Sequence, residues 1–270
     1  LMEMKTTVQE QIILSAADYR ASPRGEWVLR WPGQVIIAGS TLFWTEETEK
    51  AISEQGNAGL HEYFHKSHEQ LMELTRIVAS KITKLQRKSL GALITIDVHA
   101  RDIVEELYDA RTASTNDFKW QMQLRYYWND DDDVCAVRQT NSRFEYAYEY
   151  LGAQSRLVVT PMTDRCYMTL TGAMHLKLGG APAGPAGTGK TESTKDLGKA
   201  LGVQCVVFNC GDNLDYKFMG KFFAGLAQCG AWACFDEFNR IDIEVLSVIA
   251  QQILTITNAI IQHKEVFEFE

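Results

Sequence analysis

Residues 184–191 read Gly184-Pro185-Ala186-Gly187-Thr188-Gly189-Lys190-Thr191, a full match to G-x-x-x-x-G-K-[ST]. This stretch restricts the fold more than any other. Its backbone N–H groups must turn inward as an anion nest, and the helix that follows must aim its positive end at the same point. The glycines permit the backbone turns that such a nest needs. The reading is a cradle of Gly184, Pro185, Ala186, Gly187, Thr188 and Gly189, with Lys190 reaching β- and γ-phosphates. Thr191 then offers its hydroxyl to Mg²⁺, and Glu192 follows in the first helical turn. A glycine-rich turn before a helix, without a ligand, is the competing reading.

The segment Ala231-Trp232-Ala233-Cys234-Phe235-Asp236-Glu237 predicts a buried parallel strand ending in two carboxylates. Open α/β sheets bind ligands at that edge. Asp236 is expected to hold Mg²⁺, mostly through water, and Glu237 to orient and polarise an attacking water. Alone, the two acids would read as a solvated strand-end turn. Paired with the upstream loop they imply nucleotide hydrolysis. Asn209 ends the strand predicted over 203–209 and is a candidate for tuning Glu237, with a plain turn residue as the alternative. Arg240 reads as exposed, or as facing a neighbouring module.

The remaining pattern after residue 134 is α/β. Strands are expected over 134–138 and 144–150 as a hairpin, and an extended run over 157–161. Helices are expected over 163–178, from the loop to about 201, over 216–228 and over 243–261, the last capped by Asp242. Gly179-Gly180-Ala181-Pro182-Ala183 stands where a strand should enter the loop, yet its composition suits a strand poorly. The resulting β–α–β–α–β–α order predicts a parallel sheet with helices on both faces.

Residues 1–133 are mainly helical in pattern. Met4, Val8, Ile12 and Ala16 recur at helical spacing. Pro23 with Arg24-Gly25, and Trp31-Pro32-Gly33, predict loops. One long helix is expected over 57–88, ending near Gly91, then another over 93–110. Trp120, Leu124, Tyr127 and Trp128 read as packed core aromatics. Asn129–Asp133 is an acidic run, read as a solvated boundary loop because the spaced ligands and turn glycine of a calcium loop are missing.

Composition closes off other classes. A net charge of −8 without a basic stripe argues against nucleic acid as a partner. With no run of eighteen apolar residues, no membrane span is expected. The six cysteines form no C-x-x-C pair and read as reduced core residues of an intracellular protein. The first residues resemble neither a signal peptide nor a natural start, and 265–270 looks like an interrupted strand, so a longer parent chain is expected. His61-Glu62-Tyr63-Phe64-His65 matches H-E-x-x-H, with His68 as a third ligand, and keeps a zinc hydrolase as an alternative.

The stretch from Tyr148 to Ile256 resembles the first AAA+ module of dynein heavy chains. The resemblance is carried by Tyr148-Glu149-Tyr150-Leu151-Gly152, Pro161-Met162-Thr163-Asp164-Arg165-Cys166-Tyr167, His175 through Glu192, and Gly230 through Arg240. The small-residue approach to the loop is part of that likeness. Trp31-Pro32-Gly33-Gln34 and Gln123 through Trp128 look like the end of the dynein linker. Leu201 through Cys210, Leu214-Asp215-Tyr216-Lys217 and Ile241 through Ser247 resemble the axonemal branch; Asn213, where glycine is usual, touches only a local turn.

The resemblance implies a linker segment at 1–133 and part of an AAA+ P-loop ATPase at 134–270. It implies ATP and Mg²⁺ as ligands, with adenine against Val159, Thr160 and Pro161; plain strand core is the alternative for Val158-Val159. It implies a microtubule motor of the cilium or flagellum axoneme. Its partners would be microtubules, intermediate and light chains, and neighbouring AAA+ modules. A regulatory module that binds nucleotide without turnover stays as the alternative, and the intact Glu237 speaks against it. Sensor residues, a helical lid and an arginine finger would lie outside this stretch, so slow turnover is expected of it alone.

Overall fold

The computed structural model describes residues 2–129, 133–185, 187–211 and 215–269. It divides into two compact units, one ending at Met168 and one beginning at Thr169. Asp130, Asp131 and Asp132 of the acidic run, Ala186 of the loop and Asn213 lie outside the described residues.

The first unit is built on five helices. These are α1 (Met2–Ala21), α2 (Arg24–Arg30), α3 (Gly33–Lys50), α4 (Asn57–Ala79) and α5 (Lys84–Asp109). Pro23 and Pro32 do break the chain, but each stands at a helix N-cap, so Arg24-Gly25 and Gly33 are helical rather than loop. A π-helical turn, Ala51–Gln55, continues α3, and Gly56 at φ 59° turns the chain into α4. The single helix expected over 57–88 is interrupted at 80–83. The cause is a capping box. Thr83 Oγ1 accepts from Gln86 N at 3.2 Å, and Gln86 Oε1 accepts from Thr83 N at 3.0 Å. Gly91 therefore sits inside α5 and ends nothing.

Two buried tryptophans organise the core. Trp27 packs with Ile36, Leu74, Leu90 and Leu93, while Trp120 packs with Trp44, Leu60, Val104 and Leu107. Each indole N–H is satisfied: Trp27 donates to Ser15 O at 2.8 Å, and Trp120 to Glu49 Oε1 at 2.9 Å. One cation ties four helices together. Arg24 of α2 donates to Asp97 of α5 and Gln70 of α4 at 2.6 Å each, and to Ser40 of α3 at 2.7 Å.

After the short α6 (Phe118–Gln121) comes an antiparallel sheet of β1 (Arg125–Asn129), β2 (Val134–Gln139) and β3 (Ser142–Glu145). The hairpin was expected; β1 was not, and β3 stops at Glu145 rather than 150. Gln34, in the first turn of α3, fixes the chain beyond β3. Its amide donates to Tyr146 Oη at 3.1 Å and Glu149 O at 2.7 Å, and accepts from Leu151 N at 2.9 Å. Residues 157–160 form no strand, and Val158 is 71% exposed, so it is not strand core. The helix α7 (Pro161–His175) follows.

The second unit holds α8 (Lys190–Ala200), β4 (Cys205–Asn209), α9 (Tyr216–Cys229), β5 (Trp232–Asp236) and α10 (Ile243–Ile261). β4 and β5 pair in parallel, from Cys205 opposite Trp232 to Asn209 opposite Asp236. Alternation along the strands sorts the helices. A Cβ on Gly198 of α8 would lie 3.3 Å from Cys205 and 3.6 Å from Trp232. Phe208 and Phe235, of opposite parity, pack with Met219 and Phe223 of α9 and Ile249 of α10. The two-stranded sheet thus carries α8 on one face and α9 with α10 on the other.

The expected strand over 179–183 does not form; two glycines, two alanines and a proline bring no branched side chains to a ladder. The described residues 265–269 likewise form no strand, and Val266 is 86% exposed. Asp242 stands at the N-cap of α10 without a side-chain cap bond. Among the described residues, α10 is the one helix long and apolar enough, by length and composition alone, to cross a membrane. Glu244, Gln251, Gln252 and Asn258 interrupt its apolar run, so it holds no eighteen consecutive apolar residues. Here Ile249 and Gln252 are buried against the rest of the unit.

Candidate functional site

The loop and the strand-end acids meet where the sequence places them, within the second unit. Gly187 and Gly189 take φ 77° and 81°, the left-handed region where an L side chain is strained. Gly189 is the N-cap of α8, so the chain passes from the left-handed turn directly into the helix. Lys190 is the first helical residue. Its ammonium folds back over the loop and donates to Gly184 O and Pro185 O, both at 2.8 Å. Thr188 Oγ1 closes the turn by donating to Pro185 O at 2.9 Å.

Thr191 Oγ1 donates to Asp236 Oδ2 at 3.0 Å, linking α8 to the end of β5 across 45 residues. The other carboxylate oxygen of Asp236 accepts from Glu237 N at 3.1 Å, and its carbonyl accepts from Cys210 N at 2.9 Å. The side chain is therefore aimed from both ends. A hydroxyl and a carboxylate in contact form the oxygen donor set that a hard cation such as Mg²⁺ requires. These two residues fit that ion.

Glu237 leaves the strand in the left-handed region, φ 53° and ψ 39°, and is exposed. A 3₁₀ turn, Phe238–Arg240, follows; Arg240 N donates to Glu237 O at 2.9 Å. Arg240 Nε lies 3.4 Å from Glu237 Oε2. The sequence did not predict this partner, because the contact depends on the left-handed turn at Glu237. Asn209 pairs in register with Asp236, not with Glu237. The carboxylate of Glu192 accepts from Lys195 Nζ at 2.8 Å, one turn along α8.

Val159, Thr160 and Pro161 belong to the first unit. There Thr160 caps α7, its hydroxyl accepting from Thr163 N at 3.3 Å and its carbonyl from Asp164 N at 2.9 Å. Pro161 is the first residue of α7, a position that suits a residue without an N–H.

His61 and His65 do meet on α4, with Nε2 atoms 3.2 Å apart. Among the described residues, however, no group of three or more His, Cys, Asp or Glu side chains is placed to hold a metal. The zinc alternative lacks a third ligand there; His68, also exposed and a turn further along α4, does not join the pair. All six cysteines are free thiols. Burial pushes Cys135 up to about 12 and Cys205 up to about 11, which keeps both protonated. Cys229 is exposed rather than core.

A loop of this kind, with a hydroxyl–carboxylate pair at the adjoining strand end, defines a P-loop nucleotide-binding protein. Residues 146–270 match the family described as the hydrolytic ATP binding site of dynein motor region. Along 99% of its length the chain is 57% identical to dynein axonemal heavy chain 12 of Rattus norvegicus and 58% identical to dynein axonemal heavy chain 1 of Mus musculus. It is 55% identical to dynein axonemal heavy chain 3 of Homo sapiens over the same share. Over nearly its whole length the chain is thus a homologue of axonemal dynein heavy chains. It spans 8% of the first of these relatives and 6% of the other two.

Proposed function

We propose that this chain is the nucleotide-binding part of an axonemal dynein motor, with a linker end at 1–133 and the first AAA+ module at 134–270. ATP binds with its phosphates on Gly184–Thr191, and the Lys190 ammonium leaves the loop carbonyls to neutralise phosphate charge. Thr191 and Asp236 would hold Mg²⁺, which would supply charge neutralisation to the phosphates. Glu237 accepts a hydrogen bond from the attacking water and orients it in line with the γ-phosphate. Asn209 tunes Glu237 from the neighbouring strand end. Glu192 completes the first turn behind the phosphates. Hydrolysis drives movement of the linker and sliding of microtubules in the cilium or flagellum, with intermediate chains, light chains and neighbouring AAA+ modules as partners.

The observation that carries this reading is the 3.0 Å bond from Thr191 to Asp236, which joins loop and strand end into one site. The test is Glu237→Gln in the full-length motor. ATP binding should persist while hydrolysis at this module stops, and hydrolysis at the normal rate would refute the role of Glu237. The isolated chain should turn over slowly, since a charge-stabilising arginine finger comes from a neighbouring module in this class and is worth about 10³–10⁵ in rate.

A further inference from the structure

The two acids at the end of β5 are held in opposite ways. Asp236 is tied to α8 through Thr191 and to the backbone through Glu237 N. The Glu237 carboxylate is instead paired with Arg240 at 3.4 Å. Three features make this more than a chance meeting of two surface chains. The left-handed backbone of Glu237 reverses the chain at the strand end. The 3₁₀ turn then closes through the bond from Arg240 N to Glu237 O, which brings the guanidinium back over the carboxylate. Phe238, between them, packs edge-on against Phe235 of β5 with ring centres 6.1 Å apart, so the turn is anchored to the strand.

We propose that Arg240 is a positioning residue for ATP hydrolysis, holding the Glu237 carboxylate in a resting orientation that must be given up before Glu237 can engage the attacking water. This rests on the ATPase reading above. A carboxylate oxygen already bound to a guanidinium is a poorer acceptor for a water proton, and its direction is set by the cation rather than by the phosphate. The pair is about half exposed, 60% for Arg240 and 48% for Glu237, so it is a weak restraint that a bound nucleotide can open. Lys190 is likewise engaged with loop carbonyls in the same structure. Both charged groups of the proposed reaction are thus occupied by protein partners.

The experiment uses the full-length motor with four variants: Arg240→Ala, Arg240→Lys, Glu237→Gln, and the double variant Arg240→Ala/Glu237→Gln. Arg240→Ala should raise the unstimulated kcat about two- to five-fold, the scale of an exposed ion pair, with KM for ATP unchanged. Arg240→Lys, which keeps the charge, should return kcat close to the wild-type value. In single-turnover assays the double variant should be no faster than Glu237→Gln alone, because Arg240 acts only through Glu237. An unchanged or lower kcat in Arg240→Ala overturns the proposal, as does a double variant accelerated over Glu237→Gln. If Glu237→Gln hydrolyses ATP at the wild-type rate, the catalytic role of Glu237 fails, and with it the ATPase reading on which the role of Arg240 rests. If Glu237→Gln is inactive and Arg240→Ala is flat, only the role of Arg240 falls.

Discussion

Replacing Gly189 by alanine separates backbone conformation from contact. Gly189 has φ 81° and ψ 19° and caps α8. A Cβ built there meets no heavy atom within 4 Å, so no clash contributes. The whole penalty is conformational, about 1–2 kcal/mol for an L-residue held in the left-handed region. Where this falls depends on the empty loop. If the loop keeps its shape without nucleotide, the unit loses that much stability. If the empty loop relaxes, the loss moves to ATP affinity, about 5–30-fold. Titration with a fluorescent ATP analogue and thermal melts of the same protein measure both shares. Gly225→Ala is the control. It lies within α9, is not left-handed, and also has open space around its Cβ. There alanine should stabilise by about 0.5–1 kcal/mol. The same change is thus expected to have opposite signs at two open positions. A Gly189→Ala protein with neither stability nor affinity reduced would refute the reasoning.

Other outcomes follow from the first unit. Thr83→Ala removes the capping box of α5 and should cost about 1 kcal/mol, seen as faster amide exchange in its first turn. Asp97→Ala leaves the Arg24 guanidinium without its carboxylate and should cost about 3–5 kcal/mol in urea unfolding; Arg24→Met with Asp97→Leu should lose far less. His99 and Asp164 lie 3.6 Å apart and pull stability in opposite directions with pH. Burial lowers the imidazole from 6.5 to about 4, so stability is lost as pH falls through that window, because the unfolded chain takes the proton first. Burial, with Glu106 adding to it, raises the Asp164 carboxyl from 3.8 to about 6, so stability is lost as pH rises through that window. Wild type should be nearly flat where the two overlap. Asp164→Asn should show a melting temperature climbing from pH 4 to 6.5, and an unaltered profile would count against the assignment.

The site was more legible than the scaffold. Every residue type the phosphate loop requires is local, so eight consecutive positions carry it. The strand-end acids are marked by the apolar run before them. Other features depended on competition between signals. The apolar stripe runs through 80–83 as though one helix continued, while Thr83 and Gln86 signalled a new start that the periodicity masked. β1 was hidden because Trp120, Leu124 and Trp128 recur at four-residue spacing. Only pairing with β2 settles the extended form of 125–129. The Arg240 contact depends on the left-handed turn at Glu237, and side-chain identity gives little hint that a glutamate will adopt it.

Gln34 has a mechanical consequence. Its one amide holds Tyr146, Glu149 and Leu151, residues 112 to 117 positions away. A pull on the chain beyond Leu151 loads these bonds side by side, whereas a hairpin peeled from one end loads its bonds in turn. Bonds that share a load yield together and at higher force. Tension is therefore shared between the first turn of α3, through Gln34, and β2, through Tyr148, whose hydroxyl accepts from Cys135 N at 2.7 Å. Gln34 thus acts as a cleat for the chain beyond β3, and its amide adds to the force needed before that chain begins to pay out.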